Sequence, residues 1–197
     1  MTVVIATTNR NKLIEIRRIL GSVPFTIDTI FDHTIVAEPE ETGTTFTENA
    51  RLKARHYGAS VPYLTVAEDS GLEIDCLDGA PGIQSSRFPG ESYPRKFDRI
   101  YEMLRDRGVH TSSARFVCAV TAVESGKIIF ETTGTIEGRI SDAPRGSGGF
   151  GYDPIFFYPP FGCTFAEITA ERKTAISHRG QAFRKLRTYL NSRNEAT

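Results

Sequence analysis

The sequence predicts a mixed α/β fold, with helices flanking an elongated central mixed β-sheet. β-branched apolar runs of strand length alternate along the chain with segments whose apolar residues recur at helical spacing. No internal repeat or Pro/Ser-rich linker divides the 197 residues, and that length suits one domain with a small extra lobe. We therefore expect a single domain over residues 1–197, with a charged tail that frays from about residue 191.

The first segments alternate strands and helices. The run Thr2–Thr7 is typical of a buried strand, and the apolar spacing from Lys12 to Leu20 predicts a helix. Residues Phe25–Phe31 alternate well enough for a second strand. Thr45 and Glu48 fit a capping box, which predicts a helix that begins there and runs to about residue 57.

The remaining elements are predicted in the same way. Two hairpin strands are expected on either side of the turn residues Glu124-Ser-Gly126, which are a hairpin signal. In chain order we expect strands at Tyr63–Ala67 and Leu72–Cys76, a helix around Phe97–Leu104, strands at Ala114–Val123 and Lys127–Ile136, a Gly/Pro-rich loop at Ser141–Pro154 and a helix at Ser177–Leu190.

Composition excludes several classes of protein. Lys plus Arg and Asp plus Glu each number 24, so the net charge is zero, which argues against a sequence-independent nucleic-acid binder. No apolar run approaches the roughly 18 residues that a membrane span needs. The three cysteines, Cys76, Cys118 and Cys163, form no C-x-x-C pair. A reducing cytoplasm is therefore the expected location.

Five polar segments are candidates for a functional site. Thr7–Lys12 joins a strand to a helix N-terminus, where backbone amides and Lys12 could bind an anion, although an ordinary Asn-capped loop fits too. The segment Lys173–Arg179 places cations at the start of the last helix, where they oppose the helix dipole. A bound anion or carbonyl group would explain this placement, and so would simple exposure of the charges at the surface.

Two of these segments are acidic. Glu38–Glu41 could hold a hard divalent cation or be a solvated loop. Glu68–Gly71 directly follows an apolar strand, so it could aim a general base or metal ligand into a cleft, or form a simple turn. The fifth segment, Gly146–Gly151, spells G-x-G-x-x-G, but Asp153-Pro154 prevents a helix from following directly, so a dinucleotide site is a weak alternative. The aromatic and acidic residues of that loop could instead hold a base, or the segment could be a hairpin loop with buried aromatic side chains.

Together, these segments resemble the inosine triphosphate pyrophosphatase family, the nucleoside triphosphate pyrophosphatases that cleanse the nucleotide pool. The matching motifs run in register from Ala6 to Leu190. They are T-x-N-x-x-K from Thr7, E-E-T-G-x-T-F-x-E-N-A-x-x-K-A from Glu40, D-S-G-L from Asp69 with G-A-P-G-I from Gly79, G-G-F-G-Y-D-P-I-F from Gly148, and S-H-R-G from Ser177. Thr8, where many relatives have Gly, and Arg172-Lys173-Thr174 depart from the pattern.

The resemblance implies a fold with two lobes around an active-site cleft, usually in a homodimer. It implies Mg²⁺-dependent hydrolysis of ITP, dITP, XTP and dXTP to the monophosphate and pyrophosphate. Glu40 and Asp69 would be the metal ligands, and Asp69 would also be the catalytic proton acceptor. The implied substrate-binding residues are Thr7, Thr8, Asn9, Arg10, Asn11, Lys12, Lys53, Ser70, Phe150, Gly151, Tyr152, Asp153, Lys173, His178 and Arg179.

Three other functions stay open at the level of sequence. One is a pyrophosphatase for other modified nucleotides, and another is a non-catalytic nucleotide-binding protein. The third, a dehydrogenase, would depend on Gly146–Gly151 alone. Neither nucleic acid nor a membrane is an expected partner.

Overall fold

The computed structural model describes residues 1–33 and 37–195. Over these residues it confirms the mixed α/β class, with strands, helices and short 3₁₀ turns in one sheet-based fold. The strands are β1 (Thr2–Ala6), β2 (Thr26–Thr29), β3 (Leu64–Ile74), β4 (Ser113–Glu124), β5 (Lys127–Ile140), β6 (Phe156–Tyr158) and β7 (Cys163–Thr164). The helices are α1 (Arg10–Leu20), α2 (Phe46–Gly58), α3 (Tyr93–Asp106), α4 (Ala170–Ile176) and α5 (His178–Glu195). None of these helices is both long and apolar enough to cross a membrane.

The strands form a mixed sheet in the order β2-β1-β3-β4-β5-β6-β7. β1 pairs in parallel with β2 and β3, whereas β6 is antiparallel to both β5 and β7. β4 and β5 are joined by Ser125 and Gly126, whose φ angles are 49° and 76°. Two successive positive φ angles are what a tight hairpin turn needs, so the predicted hairpin is confirmed.

The chain divides into two compact units, and β3, β4 and β5 contribute residues to both. Unit 1 comprises Met1–Asp69, Cys118–Gly134 and His178–Thr197. Unit 2 comprises Ser70–Val117 and Thr135–Ser177.

Unit 1 buries both faces of β1. Alternation along β1 sends Val3 and Ile5 into the apolar cluster built with α1 and α5. Val4 and Ala6 enter a second cluster with Ala54 and Tyr57 of α2. In unit 2, α3 packs its apolar face into an aromatic-rich core, in which the ring centroids of Phe116 and Phe156 lie 4.5 Å apart.

Three predicted boundaries were wrong. The strands predicted at Tyr63–Ala67 and Leu72–Cys76 are one continuous strand, β3, which passes straight through Glu68–Gly71 without a turn. The strand predicted at Phe25–Phe31 ends at Thr29 because Thr29 and Asp32 cap a 3₁₀ turn there. α5 continues to Glu195, so residues 191–195 are helical; residues 196 and 197 of the predicted tail lie outside the described residues.

Candidate active site

Two adjacent carboxylates of β3 lie on opposite faces of the sheet. Successive strand residues point to opposite faces, so Glu68 shares the face of Val66, while Asp69 shares the face of Ala67. Val66 belongs to the cluster with α1 and α5, and Ala67 belongs to the cluster with α2. Both carboxylates are in unit 1, and both are buried. The sheet therefore gives each acid a different set of partners.

Glu68 organises the cations on the α1 and α5 side. Its side chain is 1% exposed, and its Oε1 atom lies 2.9 Å from Lys12 Nζ and 3.4 Å from Arg179 Nη2. Arg179 also donates to Glu15 at 2.6 Å, and the Cys118 thiol donates to Glu68 Oε2 at 3.4 Å. Burial alone would raise the pKa of Glu68, but Lys12 and Arg179 lower it far below its ordinary value. Glu68 is therefore ionised and holds both cations in place.

Asp69 is held by two donors from α2. Lys53 Nζ lies 2.7 Å from Asp69 Oδ1, and Asn49 Nδ2 donates to Asp69 Oδ2 at 3.3 Å. The Asn49 amide is oriented because its oxygen accepts the Gly43 N–H at 2.9 Å. Burial raises the pKa of Asp69, and the Lys53 ammonium opposes this only in part. The site thus combines a fixed carboxylate with a raised pKa, which is the profile of a proton acceptor.

Glu41 is a second partner of Lys53, at 2.7 Å from its Nζ atom. The neighbouring residue Glu40, the metal ligand implied by the resemblance, is exposed. Thr8, at the departure from the family pattern, donates its hydroxyl to Glu38 at 3.2 Å. This bond joins the first loop to the acidic segment.

The loop before α1 is the Asn-capped structure that was one of its two interpretations. Asn9 Oδ1 accepts the backbone N–H groups of Asn11 at 3.0 Å and Lys12 at 3.2 Å. Thr7 Oγ1 accepts the N–H of Asn9 at 3.2 Å, and Arg10 is exposed. Two first-turn amides therefore already have acceptors. Any anion bound here depends mainly on side chains such as Lys12.

The predicted capping box at the start of α2 is confirmed. Thr45 Oγ1 accepts the Glu48 N–H at 3.1 Å, and Glu48 Oε2 accepts the Thr45 N–H at 3.2 Å. Glu48 also accepts the N–H and hydroxyl of Thr44 at 2.7 and 2.8 Å. These bonds fix the entry to α2, and α2 carries Asn49 and Lys53.

Several of the remaining predicted site residues form a turn in unit 2 that is organised by the buried Asp153. Asp153 is 1% exposed, and its Oδ2 atom accepts the Phe150 N–H at 2.7 Å and pairs with the Lys173 ammonium. Lys173 Nζ lies 4.8 Å from the centroid of the Phe150 ring. Gly149 has a φ of 67°, and a Cβ atom there would lie 2.0 Å from Asp153 Oδ2. The turn therefore requires glycine, and Asp153 holds it together.

Other predicted residues sit around these two clusters. The buried Tyr152 donates its hydroxyl to the Ser85 carbonyl at 2.8 Å, and Gly151 is half-buried between Phe150 and Tyr152. Ser70 follows Asp69 in β3 and is half-buried, whereas His178 is buried as the first residue of α5.

The Gly146–Gly151 run lacks the context of a dinucleotide site. It is followed by a 3₁₀ turn at Asp153–Ile155 and then by β6, not by an α-helix. The dehydrogenase alternative is therefore wrong on structural grounds.

Within residues 1–33 and 37–195, no three His, Cys, Asp or Glu side chains converge into a ready-made metal site. The carboxylates of Asp69 and the acidic segment are nevertheless the oxygen donors that Mg²⁺ prefers. Mg²⁺ usually takes only one or two protein carboxylates and completes its shell with water and substrate phosphates. The donor set around Asp69 therefore fits Mg²⁺.

Glu15 and Asn49 belong to the clusters but were not predicted as site residues, whereas Glu41 and Glu68 were predicted only as members of the two acidic segments, without a role in holding cations. The period of two along β3 could have placed Glu68, because it continues the inward series of Leu64 and Val66. The role of Asn49 depends on the packing of α2 against Asp69, 20 positions further along the chain, which no local pattern encodes.

Comparison with known proteins gives one consistent answer. The model of the Ham1 family matches residues 3–189. The chain is 40% identical over 194 residues to a dITP/XTP pyrophosphatase of Exiguobacterium sibiricum, covering 98% of each. It is 42% identical over 193 residues to a dITP/XTP pyrophosphatase of Treponema denticola, covering 96% of this chain and 98% of that protein.

Solved structures agree with the sequence comparisons. A HAM1 protein from Coxiella burnetii superposes with a TM-score of 0.90 at 37% identity, covering 98% of this chain and 99% of that one. The Ham1 protein of Staphylococcus aureus superposes with a TM-score of 0.86 at 34% identity, covering 98% of this chain and 100% of that one.

Proposed function

The chain belongs to the Ham1 family, and from this premise we propose that it hydrolyses non-canonical purine nucleoside triphosphates. ITP, dITP, XTP and dXTP would be cleaved between the α and β phosphorus atoms, giving the monophosphate and pyrophosphate. The family membership bears out the resemblance inferred from the five motifs. The observation that carries the proposal is the buried Asp69 carboxylate held by Lys53 and Asn49.

Lys12 and Lys53 are the proposed phosphate-binding cations. Each already contacts a carboxylate, Glu68 for Lys12 and both Glu41 and Asp69 for Lys53. A triphosphate brings about four negative charges into this acidic surrounding. Its binding is therefore favourable only with additional positive charge, which supports a divalent cation as cofactor.

We propose Mg²⁺ as that cofactor, with Asp69 and Glu40 as its protein ligands. When bound, Mg²⁺ neutralises phosphate charge and acts as a Lewis acid toward the leaving pyrophosphate. Glu102 of α3 offers a control for Glu40, because it is an exposed carboxylate outside the acidic segment. Glu40→Gln should raise the Mg²⁺ concentration that gives half-maximal rate several-fold, whereas Glu102→Gln should leave it near the wild-type value.

Asp69 is the proposed proton acceptor for the attacking water. Its Oδ1 and Oδ2 atoms are fixed by Lys53 and Asn49, so the carboxylate needs no reorganisation before it accepts a proton. Asp69→Asn should retain the fold and lower kcat by about 10²–10⁴, the usual scale for a positioned acid–base group. Asp98→Asn, at an exposed carboxylate of α3, is the control and should be fully active. Turnover of Asp69→Asn near the wild-type level would contradict the assignment.

Phe150 and the turn that Asp153 holds are proposed to bind the purine, with Phe150 stacking on the ring. Arg179 or His178 would donate to O6, which inosine and xanthosine nucleotides have and adenosine nucleotides lack. Because Arg179 is bonded to Glu15 and Glu68, this role requires the guanidinium to exchange a carboxylate for substrate.

The O6 assignment is tested with Arg179→Lys, using the exposed Arg184→Lys of the same helix as control. The ITP-to-ATP ratio of kcat/KM should fall in the first variant and stay constant in the second. A lower stability with an unchanged ratio would give Arg179 a structural role only.

A panel of nucleoside triphosphates with Mg²⁺, scored for pyrophosphate against orthophosphate, tests the function as a whole. Pyrophosphate release from ITP and XTP supports the proposal. Release only from other modified nucleotides would identify the first alternative, a pyrophosphatase of different specificity. Binding of ITP without turnover would identify the second, a non-catalytic nucleotide-binding protein.

We further propose a homodimer in the cytoplasm. The family resemblance alone supports the dimer, which light scattering after size-exclusion chromatography would measure. The three cysteines are free thiols in the structure, which suits a reducing compartment.

A further inference from the structure

Lys96 of α3 is a buried cation without a carboxylate partner among the described residues. The residue is 7% exposed, and its Nζ atom donates to the Ser86 carbonyl at 2.6 Å. The same atom lies 5.1 Å from the centroid of the Tyr93 ring. Gly90, with a φ of 139°, packs against the Lys96 stem, because a Cβ there would lie 2.9 Å from Lys96 Cγ. The chain is thus shaped to enclose this side chain.

An enclosed ammonium with one carbonyl acceptor is energetically unusual. An ammonium has three N–H donors, and burying it without an opposite charge costs several kcal/mol. Burial accordingly lowers the pKa of Lys96. Among the described residues, the buried Lys53 and Lys173 and the half-buried Lys12 all contact carboxylates. Lys96 therefore has donor capacity that the described residues leave unused.

The ammonium adjoins the proposed purine-binding turn through Tyr93. The Tyr93 and Tyr152 rings meet edge to face, with centroids 5.3 Å apart. Gly151 has a φ of 67°, and a Cβ there would lie 3.6 Å from the Tyr93 hydroxyl. One face of Tyr93 thus contacts Lys96, and its hydroxyl end approaches the turn at Gly151. All of these residues belong to unit 2.

We propose that Lys96 is a specificity-determining residue whose ammonium donates to the C2 carbonyl of xanthine. This inference rests on the proposed function. Hypoxanthine has only hydrogen at C2, and guanine has an amino group there, which is itself a donor. Xanthine has a carbonyl acceptor at C2, and it loses a ring proton more readily, because its second carbonyl spreads the resulting negative charge. An unpaired ammonium favours xanthine and opposes guanine.

The test compares kcat/KM for XTP, ITP and GTP in Lys96→Met and Lys96→Gln. The glutamine retains a donor for the Ser86 carbonyl, so it keeps the test open if the methionine variant folds poorly. Lys127→Met, at an exposed lysine, is the matched control. Loss of a hydrogen bond to a charged group lowers kcat/KM by roughly 10-fold to 100-fold. We expect the XTP-to-ITP ratio to fall by about that factor and the GTP-to-ITP ratio to rise.

A structural role would give a different result. If Lys96 only held the Ser86 carbonyl, its loss would lower activity on all three nucleotides by the same factor, and unchanged ratios would overturn the proposal. Calorimetry with products provides a measurement without turnover: wild-type protein should bind XMP more tightly than IMP and GMP, and equal affinities would also overturn it. Failure of the proposed function would appear separately, as absence of ITP hydrolysis by the wild type.

Discussion

Replacing Glu68 with glutamine tests whether the buried charge cluster stabilises unit 1. The substitution preserves shape but removes the negative charge that Lys12 and Arg179 share at 2.9 and 3.4 Å. Arg179 keeps its contact with Glu15, whereas Lys12 loses its contact with the Glu68 carboxylate. Because the Glu68 side chain is 1% exposed, water cannot replace the missing charge.

The expected loss is large. Removing one partner of a buried ion pair costs about 3–5 kcal/mol. For a chain of this length, each kcal/mol lowers the Tm by roughly 2–4 °C, so Glu68→Gln should lower it by about 6–20 °C. Glu137→Gln is the control. Glu137 pairs with Arg115, but its side chain is 66% exposed, so the Tm of this variant should stay close to that of the wild type.

Thermal unfolding followed by circular dichroism across pH, without metal, gives the decisive comparison. The cations lower the pKa of folded Glu68, so its stabilisation is present above the pKa of the unfolded carboxyl, about 4.3, and is lost as pH falls below that value. The difference in Tm between wild type and Glu68→Gln should therefore be constant from about pH 8 to pH 5. It should shrink below about pH 4. A gap no larger than that of Glu137→Gln, or one that closes between pH 8 and pH 6, would refute the reasoning.

Three further predictions follow from single contacts. Gly149→Ala should lower the Tm and raise KM for ITP, because the Cβ of the new alanine would overlap Asp153 Oδ2. An unchanged KM would mean that this turn takes no part in substrate binding. Burial raises the pKa of the Cys118 thiol well above its ordinary value, so a thiol reagent should label Cys118 only after denaturation. Fast labelling of all three cysteines in the native protein would contradict this prediction. Thr45→Val should destabilise the protein by about 0.5–2 kcal/mol in urea unfolding through loss of the α2 cap, and an effect below this range would mean that water replaces the cap.

The elements of the fold were predictable where the pattern was local. The capping box of α2 and the hairpin turn at Ser125-Gly126 are each specified by a few consecutive residues, and both were predicted correctly. The turn interpretation of Glu68–Gly71 was wrong because polar residues after an apolar run resemble the end of a strand. In the structure the strand continues, since Lys12 pairs with Glu68 on one face of the sheet and Lys53 pairs with Asp69 on the other. Both lysines are distant in sequence, so the local pattern does not reveal them.

The candidate site was predictable through its motifs but not through its contacts. Asp69 and Lys53 lie 16 positions apart, and Glu68 and Arg179 lie 111 apart. Only the packing of α2 and α5 onto the sheet brings them together. Sequence reasoning therefore named the candidate reacting residues but missed residues that hold them in place, such as Asn49, because the latter act through tertiary packing.

Three cations of unit 1 are compensated locally by buried carboxylates. Lys12, Lys53 and Arg179 each contact one, so these cations are held in place in the free protein. In the proposed function, a triphosphate would compete with these carboxylates for the same cations, and a bound divalent metal ion would offset that competition. Lys96 differs in having no such competitor among the described residues. Under our proposal, a ligand carbonyl would therefore gain its hydrogen bond there without displacing a protein carboxylate, so a single carbonyl of the base would suffice for discrimination at that position.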